Sequence, residues 1–295
     1  MATLREIRQR IGGVQSTQKI TKAMKMVAAA KFRRAQDAVI SARPYAKALR
    51  GLLRHMASRV DVTSHPLFTV RPVHRVCVVV VTSDRGLCGA FSTNAIRTAV
   101  NHIQTKYQEL ASSGNVDCLC IGRKGADYFL KNGYKVPRKY IGIIGQMDFE
   151  VTSSIIDGIA EEFLSGRYDR VDIIYNEFKS IIQQRISVEQ MLPIPASSVP
   201  QADAEHLPPV NYLYEPSQEE ILTVLVPRHL RFQLWHILLE SNAAEQGARM
   251  TAMDNATRNA ADMMDRLTLA MNRARQAGIT KELMEIVSGA EALRG

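Results

Sequence analysis

The densest group of reactive side chains is Ser83-Asp84-Arg85-Gly86-Leu87-Cys88-Gly89, which follows the β-branched run Val76 to Val81. A glycine-containing turn leaving a buried strand is where phosphate loops and nucleophile turns are found. Neither is completed here. A phosphate loop needs Lys followed by Ser or Thr, the two glycines are wrongly spaced for a dinucleotide fingerprint, and no His is placed by sequence to activate Cys88. Asp84, Arg85, Gly86, Cys88 and Gly89 therefore read as a structural turn. Cys118 and Cys120 are two residues apart, so in a strand they share one face and read as small buried hydrophobes. Four cysteines in 295 residues make no disulfide framework and have no zinc spacing, which fits a reducing compartment. The seven histidines are scattered, with no pair at helical spacing to hold a metal. Glu161-Glu162 and Glu219-Glu220 read as solvated helix surface. No catalytic residue, metal ligand or cofactor is expected.

Charge is the stronger signal. The chain carries a formal net charge of +9, and it is unevenly placed. Residues 1 to 59 hold fourteen Lys or Arg against Glu6 and Asp37, which is +12, so the rest is 24 minus 27, or −3. The first segment must face something acidic: phosphate, an anionic membrane surface, or carboxylates on a partner. No apolar run approaches the roughly 20 residues of a membrane span.

These residues are positioned by three kinds of element. Leu4, Ile7, Ile11 and Val14 step at helical spacing, and after the polar stretch Gln15 to Gln18 the pattern resumes with Ile20, Ala23, Val27 and Ala30. This predicts one long helix to about Val60, with a local adjustment at Pro44 and an end at His65-Pro66. From Val73 the period changes to alternating strands and helices. Strands are expected at Val76 to Val81, Cys118 to Ile121, near Tyr140 to Ile143, and Val171 to Phe178. Helices are expected to about Leu110, from Arg123 to Lys131, and from Phe149 to Leu164. Such alternation implies a mostly parallel sheet, and Ile186 and Val188 after a tight connection imply an antiparallel edge strand. Residues 193 to 216 carry six prolines and few apolar residues and read as a linker or a loop wrapped over the surface. Beyond Gln218, Met253, Ala256, Ala260, Met264, Leu267, Met271 and Ala274 step by three or four. The part from Arg228 to Val287 alone would span roughly 90 Å as a helix. Two long amphipathic helices, joined through an intervening domain, pack as an antiparallel coiled coil.

Three stretches carry a family resemblance. Thr17-Gln18-Lys19-Ile20-Thr21-Lys22-Ala23-Met24-Lys25-Met26-Val27 resembles the N-terminal signature of ATP synthase gamma subunits, and Ser83 to Gly89 resembles the turn after their first strand. Glu245 to Met264, followed by Asn272-Arg273-Ala274-Arg275-Gln276 and Ile279 to Ala290, is similar to their C-terminal helix. The resemblance is to the bacterial type, since the cysteine-bearing regulatory insertion of the photosynthetic branch is not found.

The resemblance implies an α/β fold with long helices: an antiparallel coiled coil of the two ends and an inserted Rossmann-like domain. The expected boundaries are 1–60 for the first shaft helix, 72–205 for the α/β domain, 206–217 for a foot segment and 218–295 for the second shaft helix. It implies a non-catalytic rotor, with partners in the alpha and beta subunits, the epsilon subunit and the ring of c subunits, and with only indirect membrane association. Carried over by position, Met24, Lys25, Arg275 and Gln276 would meet beta subunits. Tyr212, Leu213, Tyr214, Glu215 and Pro216 would form the foot against epsilon and the ring. The Arg-rich start imitates a transit peptide. The acid-poor stretch is too long for one, and the resemblance begins within the first few residues. The expected place is thus the cytoplasmic face of a bacterial plasma membrane rather than a mitochondrial matrix or a thylakoid. Two rivals compete: a basic coiled-coil protein that binds nucleic acid, and an independent α/β enzyme with a pocket at its strand ends.

Overall fold

The computed structural model describes residues 3–57, 65–180, 184–195, 215 and 217–292. Two very long helices bracket the chain: α1, Leu4–Ala57, and α6, Gln218–Ala292. Pro44 and Pro227 lie inside them without ending them. Each removes one backbone hydrogen bond, a local loss that side-chain packing offsets. The chain divides into two compact units, one of Ala29–Ala248 and one of Met1–Ala28 with Arg249–Gly295.

The larger unit is built on five strands: β1, Val76–Val81; β2, Val116–Ile121; β3, Lys139–Tyr140; β4, Arg170–Phe178; and β5, Gln184–Leu192. Their order is β3-β2-β1-β4-β5. The first four are parallel, and β5 runs antiparallel to β4 at the edge. The third strand is shorter than the sequence suggests, because Gly142 turns left-handed and Ile143–Gly145 coil into a 3-10 turn. The helices between strands are α2, Phe91–Lys106; α3, Gln108–Ser112; α4, Arg123–Lys131; and α5, Phe149–Leu164. Every residue of β1 is fully buried, as a central parallel strand covered on both faces must be.

Alternation along the strands sorts the core into two layers. Val76, Val78, Val80, Cys118 and Cys120 pack under α2 and α4 with Ile103 and Phe129. Cys77, Val79, Val81, Leu119, Ile121 and Ile173 face Ile155, Ile156, Ile159 and Phe163 of α5 and Leu230, Leu234 and Leu238 of α6. All four cysteines are buried and unpaired by any disulfide. Against the α6 residues Leu239 and Ala243, α1 packs Ala35 and Val39, and the Tyr45 ring meets Phe232 at a tilt of 52° with ring centroids 4.6 Å apart. Rising numbers on α1 meet falling numbers on α6, so the pair is antiparallel.

The smaller unit contains the beginning of α1 and the latter part of α6, and it is antiparallel as well. Thr21 meets Thr257 and Lys25 meets Asp254.

Candidate functional site

Open α/β sheets bind ligands beyond the carboxyl ends of their strands, where the strand order reverses. In this sheet that point lies between β1 and β4, and the turn 83–89 leaves β1 beside it. Its side chains are used up locally. Ser83 Oγ donates to Arg85 O at 2.9 Å and accepts from Ser92 Oγ at 2.7 Å, while the Ser83 amide donates to Ser92 Oγ at 3.1 Å. Cys88 Sγ lies 3.4 Å from Ser83 Oγ, in a cluster with Phe91, Phe178 and Ala244. The ring of Phe32 from α1 packs at a tilt against Phe178, centroids 5.4 Å apart. Both long helices therefore cover the crevice that a nucleotide would enter in an enzyme of this topology.

The first turn of α4, the other natural anion site, is also taken. Its N-cap residue, Gly122, offers no side chain. Thr82 Oγ1 accepts from the Gly125 amide at 2.9 Å, and the Asp84 carboxylate accepts from the Arg123 amide and the Gly142 amide, each at 3.0 Å. Orphan donors at a helix N-terminus attract phosphate; here protein oxygens satisfy them. Asp84 thus ties the turn after β1 to α4 and to the loop after β3. Gly122 has φ 103°, and a Cβ there would lie 1.9 Å from Thr82 O. Within the turn, Gly89 and Leu87 are left-handed, at φ 59° and 66°. Gly86 is not among them. What the arrangement does chemically is join three loops.

The helix pair of the smaller unit is the more unusual surface. In α1 a stripe of buried and half-buried residues steps by three and four: Leu4, Ile7, Ile11, Val14, Gln18, Thr21, Lys25 and Ala28, then Phe32, Ala35 and Val39 in the larger unit, with Met24 and Ala29 half-buried on its flanks. The aliphatic residues expected to continue the seam do not. Ile20 and Val27 are 59% and 57% exposed, and Met26 is 61% exposed. A strict heptad runs through the polar stretch, and the seam accommodates it with polar pairs. The Thr21 and Thr257 hydroxyls lie 2.8 Å apart, and Lys25 Nζ donates to Asp254 Oδ1 at 2.5 Å. Arg258 grips the other Asp254 oxygen at 2.7 Å, and the two cations hold this carboxyl below the usual range, the Lys25 hydrogen bond first. Lys25 is thus already paired inside the chain, and its side chain is still 43% exposed. Met24 beside it is half-buried, while Arg275 and Gln276 are exposed. Every residue from Ile279 to Ala290 is exposed. Of the expected foot, Glu215 is exposed, and Tyr212, Leu213, Tyr214 and Pro216 lie outside the described residues.

Asp254, Thr257 and Thr82 are the residues that sequence reading missed. The 3-4 spacing of Gln18, Thr21, Lys25 and Ala28 was a usable sign, had polar residues been admitted to the seam. No helix among the described residues is long and apolar enough to cross a membrane.

Comparison with known proteins agrees with this geometry. The family described as ATP synthase matches residues 3–293. An ATP synthase gamma chain from Chloroherpeton thalassium is 52% identical over 300 residues, covering 99% of both chains. One from Prosthecochloris aestuarii is 49% identical over the full length of both. A chain in the cryo-EM structure of the Tetrahymena thermophila mitochondrial ATP synthase central stalk and c-ring superimposes with a TM-score of 0.61 at 24% identity, over 80% of this chain and 99% of that one. A chain in the Euglena gracilis mitochondrial ATP synthase, in a rotational state of its F1 and c-ring assembly, gives 0.68 at 19% identity, over 98% and 94%. The last two establish the fold. With its polar-seamed helix pair, its occupied strand-end crevice and full-length identity near one half to named relatives, the chain belongs to the gamma-chain family of F-type ATP synthases.

Proposed function

We propose that this chain works as a turning shaft whose outer surface, rather than any pocket, does the work. Family membership makes it the central-stalk rotor subunit of ATP synthase, non-catalytic itself, with alpha, beta and c-ring partners and a peripheral association with the membrane. It also sets aside the nucleic-acid reading and the independent enzyme. The observation that carries the mechanical reading is the inverted helix pair. Threonines, a lysine and an aspartate close its seam, while Ile20, Met26 and Val27 face outward among lysines and arginines. Exposed aliphatics at this density are covered by a partner.

A shaft of this kind acts by differential contact. Three chemically identical neighbours around an asymmetric axle meet three different faces of it, and a difference in contact energy shifts each neighbour toward a different conformation. The basic start of α1 suits acidic loops on those neighbours. Met24 and Lys25 would touch a beta subunit there, with Asp254 holding the Lys25 ammonium in place for it. Arg275 and Gln276 would meet a beta loop through a forked guanidinium. Tyr212, Tyr214 and Glu215 would form the foot toward epsilon and the ring, and the cytoplasmic face of a bacterial membrane is the setting. The apolar end from Ile279 onward would turn in an apolar sleeve, where strong polar pairs would resist motion.

The test is the double variant Arg275→Ala, Gln276→Ala in the assembled complex. Normal assembly with loss of coupling between ATP hydrolysis and ion pumping is expected. Unchanged synthesis and hydrolysis would remove both residues from the contact.

A further inference from the structure

The β4–β5 hairpin carries a charged cluster on a face that ought to be purely apolar. Alternation places Ile173, Tyr175 and Glu177 on one side of β4, and the pairings Ile173 with Glu189 and Tyr175 with Ser187 bring Glu189 and Ser187 to the same side. This is the side of Ile173, Tyr175 and Met191, which α6 covers with Leu234, Ile237 and Leu238. Glu240 follows Ile237 by three residues, so it falls on the same stripe of α6, and its side chain is only 14% exposed.

The two hairpin carboxylates have partners. Glu177 accepts from Lys179 Nζ at 2.9 Å and from Ser187 Oγ at 3.2 Å, and Glu189 accepts from the Tyr175 hydroxyl at 2.6 Å. The charged groups facing Glu240 are Glu177 and Lys179 from β4 and its end, Glu189 from β5, Arg43 from α1, and His236 one turn back on α6, with its Nε2 3.7 Å away. Arg185 of β5 adds its charge beside Glu177. Burial, then the Glu177 and Glu189 charges, push the Glu240 carboxyl up to about 7 against the pull of Arg43 and Lys179. Glu177 goes the other way: burial opposes its charge, but the hydrogen bonds from Lys179 and Ser187 prevail and hold it below the usual carboxylate range. One carboxyl of the group therefore titrates near neutral pH while its neighbour stays ionised.

We propose that the seat of α6 on the β4–β5 hairpin is a proton-linked latch, closed when Glu240 carries its proton and loosened when Glu240 ionises against Glu177 and Glu189. The folded chain holds a proton at Glu240 that the unfolded chain has already lost above the ordinary carboxylate range. Stability therefore falls as the pH climbs from about 4.5 to about 7 and stays low above that. The stiffness of this joint then follows the proton concentration around the protein, whatever partners the helix pair engages.

The test uses the full-length chain. Amide-exchange protection of β5 and of the α6 turn around Glu240, corrected for intrinsic exchange, is compared at about pH 6 and about pH 8. Wild-type protection is expected to fall by roughly tenfold, since one pKa unit is a factor of ten. Glu240→Gln, neutral at both pH values, is expected to hold its protection within about twofold. Glu189→Gln removes one repelling charge and shifts the midpoint of the fall to lower pH. An equal fall in Glu240→Gln, or none in the wild type, overturns the latch. So does a Glu240 carboxyl resonance in the wild-type chain that titrates in the ordinary carboxylate range, a measurement that does not require the variants to fold.

Discussion

The two parts of α6 use the same residue types for opposite ends. From Leu222 to Leu239 the helix buries Leu222, Leu225, Val226, Leu230, Leu234, Ile237, Leu238 and Leu239 to 7% exposure or less. Farther along, Leu269, Ile279, Leu283, Met284, Ile286 and Val287 stand 52% to 68% exposed. The first group is satisfied within the chain, by the sheet, α5 and α1. The second has no cover among the described residues. One continuous helix thus belongs to a folding core in one part and leaves its apolar side chains in the open in another, and the proposed shaft assigns the second part to an interface.

The sharpest way to break the folding side is Gly122→Ala. A methyl group there meets the Thr82 carbonyl at 1.9 Å on a backbone with φ 103°, in the joint that Thr82 and Asp84 make with α4. The expected outcome is loss of the folded α/β unit, read as the absence of a cooperative melting transition. Next comes a matched pair on α6 itself. Leu238→Ala, fully buried, is expected to cost about 2–5 kcal/mol in denaturant unfolding. Leu283→Ala should change the stability of the isolated chain by no more than about 0.5 kcal/mol, yet weaken assembly with alpha and beta subunits. Equal effects of the two would erase the distinction between core and interface.

A smaller effect concerns Asp172, whose side chain is 1% exposed in β4. Burial disfavours its charge. The hydrogen bonds from His102 at 2.7 Å and Tyr107 at 2.6 Å, with Arg170 and Lys106, outweigh that and hold the carboxyl well below its usual range. A depressed carboxyl contributes stability that is present above its ordinary pKa and is lost as the pH falls below it. Asp172→Asn is therefore expected to cost roughly 2 kcal/mol at neutral pH and to flatten the acid limb of the melting curve. An acid limb of unchanged slope would show that the network is not linked to protonation.

Much of this was legible in the residues. The β-branched run Val76 to Val81 reads as a strand buried on both faces, and the steps from Met253 to Ala274 show the α6 seam in its correct phase, because in both places local pattern and burial agree. The seam of α1 was misread between Gln18 and Ala28. Hydropathy puts Ile20 and Val27 inside there, and the chain places them outside, with Thr21 and Lys25 taking the seam instead. The shortness of β3 depends on a left-handed Gly142, and the clamp made by Asp84 joins residues 39 and 58 positions away. Periodicity carries no sign of contacts at that range. The turn at Ser83 to Gly89 was recognisable as a turn, but that α6 and Phe32 would seal the crevice beside it was not.

The shaft itself is tested most directly by watching it turn. With alpha and beta subunits fixed to a surface, a bead is tethered to a cysteine introduced on the exposed face of α4, the native cysteines all being buried. Stepwise rotation of the bead in one direction on addition of ATP is the expected result. A bead that stays still while the same molecules hydrolyse ATP would contradict it.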